Sequence, residues 1–259
     1  MVPVQYQLLL ASKSFDNYKL NSIQATMCCG SPLPVIVKNE LMQRLPGDFI
    51  ELYGLTEGLV TILSPDEMHN KIESVGRPYP GQDIMIIGND DKEVKTGQAG
   101  EIVGVSEILM SGYFNNPLAN KEATWLDENN QKWFRTGDIG RIDEDGFLYL
   151  VDRKKDMIIS GGQNIYPADI EAVLCLREEI KELAVIGVES KKWGETPIAV
   201  IVTHEAKTID CEEIKQWLNA KLGKQQRVAR VLITDSLPRN PAGKILKRQL
   251  RQNYSNLDL

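Results

Sequence analysis

The stretch from Trp133 to Pro167 constrains this chain most. It begins Trp133-Phe134-Arg135-Thr136-Gly137-Asp138-Ile139-Gly140, passes Asp143-Glu144-Asp145-Gly146, and continues as Phe147-Leu148-Tyr149-Leu150-Val151. The Asp- and Gly-rich segment has the chemistry of a tight turn, glycine being free to take positive φ. The apolar and aromatic run after it suits a strand. The charged run Asp152-Arg153-Lys154-Lys155-Asp156 then breaks the apolar pattern, and Ser160-Gly161-Gly162-Gln163-Asn164-Ile165-Tyr166-Pro167 follows. The order reads strand, turn, strand, charged joint, strand, Gly-rich loop. Charges between two strands cannot be core. The joint is either a solvated connection or a polar site between two bodies.

The chain differs in character on the two sides of that joint. Val4 to Leu10 has helical spacing of apolar residues, and Ile23 to Cys29 reads as a buried strand. Gly30-Ser31-Pro32-Leu33-Pro34 breaks that strand, and Pro34 suits the first turn of a helix continued by Val37, Leu41, Met42 and Leu45. A short strand from Phe49 to Leu52 delivers Tyr53-Gly54-Leu55-Thr56-Glu57-Gly58. Residues 1–63 therefore read as the tail of an α/β domain. Short strand candidates at Ile84 to Ile87 and Gly100 to Val105 make 64–152 a small β subdomain. Residues 153–259 read as a small α+β domain. Its helices carry Ile170, Val173 and Leu174, then Ile214, Trp217, Leu218 and Leu222. Its strands are Leu183 to Val188, Pro197 to Val202 and Val228 to Thr234. A loop from Pro238 to Gly243 and a basic helix from Lys244 to Gln252 close it.

A net charge of −6 gives no basic field to attract nucleic acid. Cys28, Cys29, Cys175 and Cys211 show neither C-x-x-C spacing nor a nearby His pair, so zinc and a disulfide framework are poorly supported. No apolar run reaches membrane-spanning length, and no secretory pattern follows Met1, so the expected compartment is cytoplasmic. His69 and His204 have no companions suggesting a triad or a metal. Gly243-Lys244 lacks the first glycine and the Ser/Thr of a Walker loop, since Pro238 and Ile245 stand there.

Taken together, Phe134-Arg135-Thr136-Gly137-Asp138, Asp152-Arg153-Lys154-Lys155, Ser160-Gly161-Gly162, Tyr53-Gly54-Leu55-Thr56-Glu57 and Pro238 to Ile245 resemble the AMP-forming acyl-CoA synthetases of the ANL adenylate-forming superfamily. The likeness leans toward the fatty-acyl and aryl-acid CoA ligases, as Gly112-Tyr113-Phe114-Asn115-Asn116-Pro117 also does. It implies ATP/AMP, Mg2+, CoA as co-substrate and a small-molecule carboxylate. By resemblance Tyr53 stacks on adenine, Gly30 and Ser31 pass beside it, Gly54 belongs to the same nucleotide-binding set, Thr56 is offered to the phosphates, and Glu57 meets the metal. Asp138 and Arg153 hold the ribose. Lys155 is the hinge, Gly161, Gly162 and Asn164 belong to the thioester loop, and Lys244 is the catalytic lysine of adenylation. Magnesium favours such carboxylate and phosphate oxygens. Lys247, Arg248 and Arg251 read as a solvated face.

The resemblance covers essentially all 259 residues but only the back part of the family. The Ser/Thr/Gly-rich phosphate loop that the family carries upstream is not among these residues. The expectation is therefore the C-terminal part of a carboxylate–CoA ligase, inactive alone. Its partner would be a missing N-terminal half, or a second copy in a homo-oligomer. Two rivals stay open: an adenylation domain that loads a carrier protein, and a non-catalytic remnant acting as a binding module.

Overall fold

The computed structural model describes residues 1–204, 209–240, 243–255 and 257. Pro241 and Ala242, inside the expected Pro238–Gly243 loop, lie outside the described residues. The chain divides into two compact units, Met1–Leu150 and Val151–Leu259.

The first unit opens with α1 (Pro3–Leu10), β1 (Ala25–Cys28), α2 (Val35–Arg44), β2 (Asp48–Gly54), β3 (Val60–Leu63), α3 (Pro65–Lys71) and β4 (Arg77–Pro78). Four strands form one sheet in the order β1-β2-β3-β4. Strands β1 and β2 are parallel, and the later pairs are antiparallel. Helix α2 follows Pro34 as its spacing predicts, and buries Leu41 against Phe49 and Leu63. Strand β1 departs from the expectation of a buried strand. Cys28 is buried but Ala25 and Met27, which share the opposite face of the sheet, are exposed because nothing in this unit covers that side of the strand. Helix α3, unread in the sequence, starts with Pro65 in its first turn followed by Asp66 and Glu67, which suit a helix N-terminus.

A second, five-stranded sheet makes up the rest of this unit, its last strand running on past Leu150. It contains β5 (Gln82–Ile87), β6 (Gly100–Ser106), β7 (Thr124–Leu126), β8 (Lys132–Ile142) and β9 (Leu148–Arg153), with α4 (Pro117–Glu122) between β6 and β7. The order is β5-β6-β8-β7, with β9 on β8. The all-β part thus starts at Gln82 rather than at residue 64, because β4 pairs with β3 of the first sheet. The β8–β9 turn is built as its sequence implies. Asp143 Oδ1 accepts from the Asp145 and Phe147 amides at 3.0 and 2.9 Å, and Gly146 takes φ 83°.

The second unit holds β10 (Ile158–Ser160), β11 (Gln163–Ile165), α5 (Pro167–Leu174), β12 (Ile180–Ser190), β13 (Gly194–Thr203), α6 (Cys211–Lys221), β14 (Arg230–Ile233) and α7 (Lys247–Asn253). The sheet order is β11-β10-β13-β12, with β14 parallel to β13. Alternate side chains of β12 and β13 point to opposite faces. Val185, Ala199 and Ile201 pack with Ile170 of α5 and Ile214 of α6. Ala184, Ile186, Ile198 and Val200 pack with Leu237 and with Leu250 of α7. Both faces are covered, so these strands read as continuous apolar runs rather than alternating ones. Helix α7 begins at Lys247, later than the expected Lys244. Backbone bonds explain the delay. Asn240 N donates to Lys244 O at 2.9 Å, and Leu246 N to Pro238 O at 2.8 Å, which keeps 244–246 extended against 238–240. Among the described residues no helix is long and apolar enough to cross a membrane.

Candidate functional site

In the first unit, the Thr-Gly-Asp segment is a bulge inside one long strand, not a turn. Ile139 pairs with Glu101 and Arg135 with Val103, so Thr136, Gly137 and Asp138 stand opposite Ile102 alone. A bulge of this kind re-aims a side chain. Gly137 supplies the left-handed backbone, φ 69°. Thr136 stitches the bulge: its hydroxyl donates to Ile102 O at 2.8 Å and accepts from Asp138 N at 3.0 Å. Asp138 is thereby held 7% exposed.

Strand β2 delivers the partner. The Tyr53 hydroxyl donates to Asp138 Oδ2 at 2.9 Å across 85 residues of sequence. Tyr53 is 9% exposed and packs with Val75, Ile86, Ile102 and Leu148. Its strand is anchored two residues earlier by a buried ion pair that the sequence did not signal. Lys38 of α2 contacts Glu51 Oε2 and donates to Ile72 O at 2.6 Å, both side chains being under 5% exposed. Burial pushes the Glu51 carboxyl up, against the pull of Lys38. Beside it, Cys28 is pushed up to about 12 by burial and by the Glu51 charge, so its thiol is not a nucleophile near neutral pH.

After Tyr53 the chain turns. Leu55 N donates to Leu59 O at 2.9 Å and Gly58 N to Leu55 O at 3.0 Å. Gly54 and Thr56 are exposed and Glu57 is half-buried. The Tyr113 hydroxyl donates to Glu57 Oε1 at 2.9 Å, a contact foreshadowed only by the Gly112–Pro117 segment. Gly30 takes φ 97° with Ser31 exposed after it. Among the described residues no group of three or more His, Cys, Asp or Glu could hold a metal. Glu57 thus stands as a single carboxylate. One or two carboxylates suffice for magnesium that also binds substrate phosphates, so the residues fit an ion that arrives with a nucleotide.

The second unit carries the other expected residues on its extremities. Asp152 braces the charged joint: Oδ1 accepts from Arg153 N at 2.7 Å and Oδ2 from Ala168 N, at the start of α5, at 3.0 Å. Asp156 N and Met157 N donate to Arg153 O, forming a turn on which Lys155 is exposed. Gly161 and Gly162, with φ 57° and 81°, make the two-residue turn of the β10–β11 hairpin. Asn164 is exposed on β11 opposite Ile159. Lys244 is exposed on its loop, with its amide bonded to Asn240 Oδ1 at 2.9 Å.

The Gly161–Gly162 turn and Lys244 occupy opposite ends of one ladder. Ser160 pairs with Gly194 at the Ser190 end of the β12–β13 hairpin. Arg239, which donates to Gly243 O at 2.5 Å, also bonds Glu182 near the other end at 2.7 Å. From Glu182 to Ser190 the strand runs about 27 Å.

Residues 1–114 match the family model described as AMP-binding enzyme, and residues 169–244 match the AMP-binding enzyme C-terminal domain. The chain belongs to the AMP-binding, adenylate-forming enzyme family. Family relatives include a feruloyl-CoA synthase from an Amycolatopsis species, 36% identical over 98% of this chain and 51% of the relative. Another is the long-chain-fatty-acid–CoA ligase FadD13 of Mycobacterium tuberculosis, 38% identical over 87% of this chain and 44% of the relative. A similar solved structure is the o-succinylbenzoate CoA synthetase of Bacillus subtilis with its acyl-adenylate OSB-AMP. Its TM-score is 0.82 at 34% identity, covering 97% of this chain and 50% of that one. The same family enzyme with ATP and a magnesium ion gives a TM-score of 0.81 at 33% identity, covering 96% and 50%. The chain spans about half the length of the curated relatives it matches.

Proposed function

We propose that this chain is the C-terminal part of an ATP-dependent carboxylate–CoA ligase acting on a fatty or aryl acid. The reading is carried by one observation: a strand bulge aims a buried carboxylate, Asp138, at the tyrosine that β2 delivers. That arrangement suits a ribose whose hydroxyls donate to Asp138 beside an adenine stacked on Tyr53. Gly30 and Ser31 border the base, Gly54 belongs to the same nucleotide-binding turn, Thr56 lies toward the phosphates, and Arg153 adds a ribose contact.

Adenylation joins a carboxylate oxygen to the α-phosphorus and releases pyrophosphate. Lys244 places a positive charge between two anions as they approach, an electrostatic effect that is large where water is scarce. Glu57 would hold a magnesium ion that arrives with the nucleotide, and that ion would supply charge neutralisation to the phosphates. In the second step the CoA thiolate attacks the acyl carbon and AMP departs. The Gly161–Gly162 turn, with Asn164 near it, lets a thin pantetheine arm approach backbone closely. A ladder about 27 Å long separates that turn from the Lys244 loop, so the second unit presents one end for each half-reaction. Lys155, exposed on the Arg153–Met157 turn, is the swivel between the two presentations.

The 259 residues hold no Ser/Thr/Gly-rich phosphate loop, so the chain alone is expected to bind AMP without making acyl-AMP. Calorimetry with AMP and a pyrophosphate-release assay with fatty and aromatic acids test this. No AMP binding would overturn the nucleotide reading. Joined to the upstream half of the Bacillus subtilis enzyme, the chain should transfer acyl groups to free CoA. Transfer to a carrier protein instead would reassign the acceptor.

A further inference from the structure

The loop after β6 is locked onto the turn that carries Glu57. A side chain at Gly58 would bring Cβ within 2.2 Å of Ile108 O, so the two backbones touch there and only glycine fits. Met110 N donates to Glu57 O at 2.8 Å. Tyr113 is itself gripped from behind: its amide donates to Asn120 Oδ1 at 2.6 Å, and Asn120 Nδ2 donates to its carbonyl at 3.1 Å. Asn120 is fixed in turn on α4, whose first turn Asn116 caps through the Ala119 amide at 3.2 Å. The Tyr113 hydroxyl then reaches Glu57 Oε1 at 2.9 Å. Glu57 Oε2 has no hydrogen-bond partner among the described residues.

We infer that Tyr113 is a positioning residue for Glu57: its phenol occupies one carboxylate oxygen and presents the other to the metal of a magnesium nucleotide. This rests on the nucleotide reading above. A half-exposed glutamate left alone samples several rotamers, and fixing one lowers the ordering required when the ion arrives. Outer partners of this kind commonly change metal affinity by about 10-fold or more when removed.

The test uses the full chain. AMP binding without metal is measured by calorimetry. The divalent-ion dependence of ATP binding is followed by magnesium titration and by the electron paramagnetic resonance of Mn2+. Tyr113→Phe should keep AMP affinity within about twofold and the thermal midpoint unchanged, while raising the ion concentration for half-maximal ATP binding about 10-fold. Glu57→Gln should remove the ion dependence, and adding Tyr113→Phe to it should change nothing more. Unchanged ion dependence in Tyr113→Phe would overturn the inference, as would equal losses of AMP and ATP binding, which mark a merely structural role. Wild-type chain that binds AMP but shows no ion dependence would also overturn it, with the nucleotide reading intact. Wild-type chain that binds neither nucleotide would overturn both.

Discussion

Asp138 and Lys244 are mounted in opposite ways. Asp138 lies 7% exposed in a bulge, with Thr136, Gly137 and the Tyr53 hydroxyl fixing its direction. Lys244 is exposed on a loop, its amide donating to Asn240 Oδ1 and the Gly243 carbonyl accepting from Arg239. Lys155 and the Gly161–Gly162 turn share that exposed mounting. A buried, doubly fixed carboxylate suits recognition, because a rigid acceptor loses little freedom on binding. An exposed lysine on a short loop suits a group that enters and leaves a reaction with the body that carries it. Substitutions in the first unit should therefore act on stability and binding, and those at the second unit's extremities on individual chemical steps.

The largest effect is expected where the first mounting is rooted. Glu51→Ala would leave Lys38 charged and buried without its partner, which typically costs about 3–5 kcal/mol. Urea unfolding of the first unit should register it. The double variant Lys38→Met/Glu51→Leu should recover most of the loss, since apolar replacement of a whole buried pair is often neutral or stabilising. A small loss in Glu51→Ala would show that β2 is not held rigid by this pair.

The second prediction concerns steps rather than stability, in the enzyme completed with the Bacillus subtilis upstream half. Lys244→Ala should slow pyrophosphate release about 100-fold or more, near 2.7 kcal/mol, and spare thioester formation from supplied acyl-AMP. Lys155→Pro should do the reverse, because proline fixes φ near −65° and removes the freedom a swivel needs. Equal damage to both steps in both variants would end the two-presentation reading.

Asp138→Ala comes next. It deletes an acceptor whose donors would go unpaired, an effect of about 1–3 kcal/mol in AMP affinity. Lys244→Ala in the same calorimetric assay should stay within about twofold. If both variants weakened AMP alike, the contrast between a binding unit and a reacting unit would fail.

Much of this fold was legible in the sequence because the relevant signals are local. Pro34 before an apolar helical stripe marks α2, and Asp143 to Gly146 marks the β8–β9 turn. Gly161–Gly162 was legible only as a Gly-rich loop after a strand, because its closure into the β10–β11 hairpin depends on pairing across the turn. Helix α3 was missed because its seven residues expose a polar face and bury only Met68, too little for periodicity to show. The bulge at Thr136–Asp138 left no local mark, because a bulge and a turn use the same glycine and only cross-strand register separates them. The extended start at Lys244 was hidden for a similar reason: the bonds that oppose a helix come from Pro238 and Asn240. Lys38 with Glu51, and Tyr113 with Glu57, are pairs distant in sequence whose members each look like ordinary surface residues until the fold joins them.

The smallest expected effect tests whether the two units respond separately. Asp143 ties α3 to the β8–β9 hairpin: Oδ2 accepts from Lys71 Nζ at 2.8 Å and from the Tyr149 hydroxyl at 3.0 Å, while Oδ1 accepts from Phe147 N at 2.9 Å. Burial works against its ionisation, but these donors prevail and hold its carboxyl at about 2, below the usual carboxylate range. An unfolded aspartate titrates near 3.9. The folded value is the lower one, so the stabilisation is complete above about pH 4 and is lost as pH falls from about 4 through 2. A shift of that size corresponds to about 2.6 kcal/mol, which solvent screening at this partly solvated site reduces to about 1–2 kcal/mol. Indole signals report each unit on its own, Trp125 and Trp133 in the first and Trp193 and Trp217 in the second. At pH 6, Asp143→Asn should lower the urea midpoint seen by Trp125 and Trp133 and leave that of Trp193 and Trp217 in place. Near pH 2.5 most of the difference from wild type should vanish, because the wild-type carboxylate is then losing its own advantage. Equal shifts at all four indoles would mean that the units unfold as one.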